Sequence, residues 1–249
     1  YLGSAPYTMP NTVGAYSAVR WNPDVRTNFK VVINELGKKF DGNPALEGIA
    51  FQESAHGLPS KPSGYYTPDY SSVLYRETLI DTLKTAATSF PTSQVFWYMN
   101  YLNGNQDYIA DIATAVAPYG VSMGGPDILP ENSSLQRQAY PFYNDFNGKI
   151  QLFGSMQNDS YREKHLDTIQ YKTVYWTMQE MFNYGRDAMH LKYIMWNYKN
   201  WGPENQWADA VPVIGNNATF NPTTVGTPAP SNPPRFTLNQ RVETLELRE

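Results

Sequence analysis

Several short apolar runs in this chain end abruptly in side chains able to do chemistry. The run Leu46-Glu47-Gly48-Ile49-Ala50-Phe51 leads into Gln52, Glu53, Ser54 and His56. Val121-Ser122-Met123 leads through Gly124-Gly125-Pro126 into Asp127, and Ile150 to Ser155 leads into Met156-Gln157-Asn158-Asp159. Val95 to Met99 ends at Asn100, and Tyr193-Ile194-Met195-Trp196 ends at Asn197. A carboxylate at the carboxyl end of a buried parallel strand is where α/β barrels place proton-transfer groups, so Glu53 is the leading catalytic candidate. Pairing with an arginine or capping the next helix is the structural role open to the same residue. Asp127 follows a turn that lets backbone approach a ligand closely, and it fits a second catalytic carboxylate or a turn residue equally well. Asp159 lies in a turn-like sequence. The amides Asn100, Gln157 and Asn197 both donate and accept, which suits ligand hydroxyls as well as loop backbone. Trp196 offers a flat apolar ring for stacking or for the core. His56 stands three residues beyond Glu53, within reach of that carboxylate or of a ligand. No spacing of His, Asp and Glu resembles a metal site, and no Gly-x-Ser-x-Gly elbow is present. No cofactor is implied.

The elements that must position these residues alternate along the chain. Residues 1–22 have no periodicity and read as a long loop ordered by Tyr1, Tyr7, Tyr16 and Trp21. Asn22 then caps a helix with Pro23 at its first position, carrying Val25, Phe29, Val32, Ile33, Leu36 and Phe40 at helical spacing. Strands are expected at 46–52, 95–99, 120–123, 150–155 and 193–196. Helices are expected at about 71–89, 106–117, 133–147, 166–187 and 204–213. Val73, Leu74, Leu79, Ile80 and Leu83 are the expected buried face of the helix at 71–89. Such alternation implies a parallel α/β sheet with right-handed crossovers. No Gly-rich phosphate loop follows any strand, which favours a barrel over a nucleotide-binding sheet. Residues 1–221 form this body. Pro-rich residues 222–234 read as an extended linker, and 235–249 as a tail that docks on the body or on a partner.

Composition narrows the partners. The chain of 249 residues is long enough for a large core, has no cysteine and carries a net charge of -4 with no basic block, which argues against nucleic acid. Aromatic residues reach 14% while charged residues are only 17%, a balance that suits sugars or a rigid extracellular surface. No apolar run approaches the ~18 residues of a membrane span. Tyr1 at the first position, without a basic or apolar leader after it, reads as a processed or truncated start, or as numbering from the first observed residue. Sequons at Asn132, Asn158 and Asn217 bear on glycosylation only in a eukaryotic secretory route.

The ordered set of strand-end residues resembles the large clan of retaining (β/α)8 glycoside hydrolases with an acid/base Glu after strand four and a nucleophile Glu after strand seven. Phe51-Gln52-Glu53 is similar to the fourth-strand motif, where the usual pair is Asn-Glu. Val95–Asn100, Val121–Asp127, Ile150–Asp159 and Tyr193–Trp196 would be strands five to eight, the last carrying the tryptophan that floors the sugar site. The resemblance spans about residues 20–215 and implies a TIM-type barrel of which this chain supplies about five βα units. Upstream residues or another chain would supply strands one to three. It implies a secreted or cell-surface domain acting on an oligo- or polysaccharide, with Glu53 as general acid/base; in place of a strand-seven Glu, Asp127 after strand six or alternatively Asp159 near strand seven would be the second carboxylate. His56, Asn100, Gln157, Asp159, Trp196 and Asn197 would bind substrate. Gln157 occupies the nucleophile position, where an amide cannot act. The alternative implication is therefore an inactive glycan-binding or assembly module built on the same barrel.

Overall fold

The computed structural model describes residues 8–10, 16–51, 53–55, 70–100, 102, 107–217 and 220. In chain order the elements are β1 (Thr8–Pro10), β2 (Tyr16–Ala18), α1 (Pro23–Phe40), β3 (Gly48–Phe51), α2 (Ser72–Ser89), β4 (Gln94–Tyr98), α3 (Tyr108–Val116) and β5 (Ser122–Asp127). They continue with α4 (Ser133–Gln138), α5 (Tyr140–Phe146), β6 (Leu152–Met156), β7 (Lys164–Asp167), β8 (Lys172–Tyr175), α6 (Met178–Asn183), β9 (Tyr193–Trp196) and α7 (Trp207–Asn216). The fold is mixed α/β, with parallel strand pairing β3-β4 and, further along the chain, β5-β6-β9, compatible with part of a TIM-like arrangement. Among the described residues no helix is long and apolar enough to cross a membrane. Residues 222–249, expected as linker and tail, lie outside the described residues. The chain divides into two compact units, one running to Val121 and the other beginning at Ser122.

In the first unit the expected loop over 1–22 contains a short antiparallel ribbon, β1 paired with β2. Asn22 caps α1 by accepting from the backbone N–H groups of Asp24 and Val25, with Pro23 in the first turn, as the sequence predicts. The buried face of α1 differs from expectation. Val25, Ile33 and Gly37 are buried, whereas Phe29, Val32, Leu36 and Phe40 remain substantially exposed. Gly37 decides this face, because a Cβ there would collide with the backbone carbonyl of Ser89 on α2. The two helices approach closely along that line, and Lys30 bridges them by donating to both oxygens of Asp81 at 3.1 and 2.9 Å. Helix α2 likewise buries Tyr75, Thr78, Thr82, Leu83, Ala86 and Ala87 rather than the run Val73, Leu74, Leu79, Ile80. Small residues at this spacing admit a neighbouring helix that larger side chains would hold away.

Ile33 is 1% exposed and Val32 is 51% exposed. Ile33→Ala is expected to cost about 2–4 kcal/mol in urea unfolding, whereas Val32→Ala stays within about 0.5 kcal/mol. Equal costs would contradict the assigned face.

In the second unit β5, β6 and β9 are parallel neighbours. Strand β6 is buried at all five positions, as expected of a parallel strand covered on both faces. The third strand starts later than predicted, because Gly120 takes a left-handed φ of 75° and terminates the preceding helical turn. The expected helix over 133–147 breaks at Ala139 into α4 and α5. Pro141 has no N–H for the helix ladder and sits in the first turn of the second piece. The expected helix over 166–187 is mostly wrong. Residues 164–175 form the antiparallel hairpin β7-β8, turned by Asp167, whose side chain accepts from the N–H groups of Ile169 and Gln170. The helix signal begins only at Thr177, which forms a capping box with Glu180. A π-helical turn at Tyr184–Ala188 follows α6.

Candidate functional site

In the first unit the carboxyl ends of β3 and β4 are fastened together around Glu53. The parallel register Phe51↔Trp97 continues past the strands, with the Ser54 N–H donating to Tyr98 O at 3.1 Å. Ser54 is fully buried, and its hydroxyl donates to Asn100 O at 2.8 Å while accepting from the Asn100 N–H at 2.7 Å. Tyr75 of α2 donates its hydroxyl to Ser54 O at 2.6 Å. Burial raises the Tyr75 phenol well above its ordinary pKa, so it stays a neutral donor. Arg20 also clasps this segment. Its Nη1 donates to Glu53 O at 3.0 Å and its Nη2 to Ala55 O at 3.1 Å, with the guanidinium 5.3 Å from the Tyr75 ring centroid. Trp21 packs edge-on against Tyr70 and Tyr75, at 4.9 and 5.9 Å between ring centroids.

The backbone of Glu53 is thus fixed while its side chain faces solvent. Its Oε2 accepts from Asn100 Nδ2 at 2.7 Å. Two of the sequence-predicted residues are therefore brought into direct contact. A solvent-facing carboxylate held by an amide donor can pass a proton to or from a bound molecule. His56 lies outside the described residues. The parts of this arrangement that sequence reasoning missed are Arg20, Ser54 as a structural joint, and Tyr75. All three act through backbone carbonyls, which leave no spacing pattern to read.

The second unit assembles the other candidates along the carboxyl ends of β5, β6 and β9. Asp127 is the last residue of β5, opposite Ser155, beyond an irregularity in the β5–β6 register that includes Gly125 at a φ of 124°. Its carbonyl accepts from Tyr140 Oη at 2.6 Å, and its side chain is half-buried. Gln157 immediately follows β6, with its N–H donating to Ser160 Oγ at 3.2 Å. Trp196 ends β9 opposite Met156, and its indole N–H is buried without a protein acceptor among the described residues. Asn197 is exposed, with its N–H bound to Met156 O at 2.9 Å and its carbonyl accepting from Tyr161 Oη at 2.9 Å. Asp159 is exposed in the following turn, where Arg162 lies 3.9 Å from its carboxylate.

The loops after β6 and β9 are joined by a charged cluster that the sequence did not reveal. Lys199 is 1% exposed, and its ammonium donates to Trp201 O at 2.7 Å, Glu204 Oε2 at 2.9 Å and Asn205 O at 3.1 Å. Arg162 reaches the other oxygen of Glu204 at 3.2 Å. The hydrogen bond from Lys199, reinforced by nearby positive charge, holds the Glu204 carboxyl below its ordinary value. Asn205 Nδ2 donates to Trp176 O at 2.7 Å and to Tyr161 O at 3.3 Å. Comparison of the chain with protein-family models, curated proteins and solved structures gives no match.

Proposed function

We propose that this chain is a carbohydrate-active domain of glycoside-hydrolase type, acting on an extracellular polysaccharide with Glu53 as general acid/base. The observation that carries the reading is the geometry at Glu53: a solvent-facing carboxylate at the carboxyl end of a parallel strand, its backbone pinned by Arg20 and its Oε2 held by Asn100. Such a group protonates a departing glycosidic oxygen and then deprotonates water. Asn100, held against Glu53, contacts sugar there; within the second unit Asp127 offers a further carboxylate, and Gln157, Asp159, Trp196 and Asn197 are its sugar contacts. In this reading the parallel strands belong to a (β/α)8 barrel completed by an upstream segment or another chain, and the domain works outside the cell.

A second reading rests on Gln157. An amide at the nucleophile position favours a glycan-binding or assembly module that retains the architecture without turnover. Reducing-end release from barley β-glucan, xylan, glucomannan and hydroxyethyl cellulose separates the two. Release from one of the four is the expected result. Binding without release from any would transfer the assignment to the non-catalytic reading.

A further inference from the structure

The loop between β9 and α7 presents two large aromatic rings from an unusually constrained backbone. Tyr198 is 62% exposed and Trp201 is 54% exposed. An isolated exposed aromatic needs no explanation, but flexible loops seldom hold such rings in one place. Here the loop is fixed from within. Its core is the Lys199 ammonium, bound to two loop carbonyls and to Glu204 and lying 5.9 Å from the Trp201 ring centroid. The Trp207 N–H donates to Lys199 O, Gln206 Nε2 donates to Gly202 O at 2.7 Å, and Gly202 takes a φ of 89° that a side chain would strain. Tyr198 packs on Trp207 at 5.9 Å between centroids, and Asn200 Nδ2 donates to the Tyr198 hydroxyl at 3.0 Å.

We propose that this loop is a preformed binding platform for a neutral polysaccharide chain, a subsite additional to the strand-end residues and resting on the carbohydrate reading above. Pyranose rings carry apolar C–H faces that stack on Trp201 and Tyr198, while the exposed amides of Asn197 and Asn200 meet the hydroxyls at the ring edge. The charges around the loop point to an uncharged ligand, since Lys199 and Arg162 are both paired with Glu204. Rigidity in the free loop reduces the ordering cost of binding.

Affinity electrophoresis tests this directly, using native gels that contain barley β-glucan, xylan, glucomannan or hydroxyethyl cellulose. The full chain is expected to be retarded in at least one gel. Trp201→Ala and Tyr198→Ala are each expected to weaken that retardation about five- to tenfold in apparent Kd, with Trp201→Phe recovering most of it. Both rings are exposed, so an unchanged thermal midpoint accompanies each loss. Glu53→Gln, whose turnover tests the catalytic reading separately, migrates like the wild type. Wild-type-like retardation of Trp201→Ala and Tyr198→Ala, or no retardation of the wild type in any gel, would overturn the platform. Retained retardation with no turnover by the wild type leaves the platform standing and removes only the hydrolase.

Discussion

Lys199→Met is expected to lower the stability of the second unit by about 3 kcal/mol, read as a fall of roughly 10 °C in the thermal midpoint. Methionine matches the lysine stem in length and apolar character, so packing is largely preserved and the change isolates the ammonium. Removing it leaves the carbonyls of Trp201 and Asn205 without the donor they share, in a site that is 1% exposed at Lys199. It also leaves Glu204 with only its own backbone N–H and Arg162, the latter at 3.2 Å. A buried ion pair replaced as a whole by apolar groups is often neutral, but removal of one partner is not. The loss should be accompanied by a change in tryptophan emission, since Trp201 sits over the ammonium. A shift of less than about 1 kcal/mol would mean that the loop carbonyls find water instead and that the loop is not a rigid support.

Glu53→Gln carries the larger expected effect on activity and a small one on stability. Its side chain is exposed, and glutamine keeps an oxygen able to accept from Asn100, so unfolding should change by no more than about 0.5 kcal/mol. Turnover of the cleaved polysaccharide should fall about a thousandfold, the usual worth of a positioned acid/base. The reason is chemical: an amide of the same shape contacts the sugar but cannot deliver a proton. The combination of large kinetic loss, intact fold and intact gel retardation distinguishes a catalytic group from a structural one.

Much of the first unit is legible in the sequence, because its signals are local. Asn22-Pro23 fixes the start of α1, Ser71 caps α2 through its hydroxyl, and the apolar run 95–98 becomes a parallel strand buried at every position but Tyr98. The nearness of Glu53 and Asn100 follows from their places at the ends of successive strands. What periodicity misreads is set by tertiary contact. The more apolar stripe of α1, including Phe29, Val32 and Leu36, is left outside because Gly37 allows α2 to approach on the other side. The segment 164–175 contains Thr173, Val174 and Tyr175, whose branched and aromatic side chains favour a strand. An Asp167 turn outweighs their approximate helical spacing. Lys199 reads as an ordinary surface lysine; its burial depends on carbonyls at residues 201 and 205, which have no side-chain signature.

Leaving-group dependence measures most directly whether Glu53 donates a proton to a departing sugar oxygen. Turnover by the wild type and by Glu53→Ala is compared on an oligosaccharide of the cleaved glycan and on its dinitrophenyl glycoside, whose leaving group needs no protonation. The prediction is a loss of about a thousandfold on the oligosaccharide, with bond cleavage in the dinitrophenyl glycoside nearly as fast as in the wild type when followed as the initial burst of released phenol. Equal losses on both substrates, or unchanged turnover of the oligosaccharide, would contradict the assignment of Glu53 as the acid.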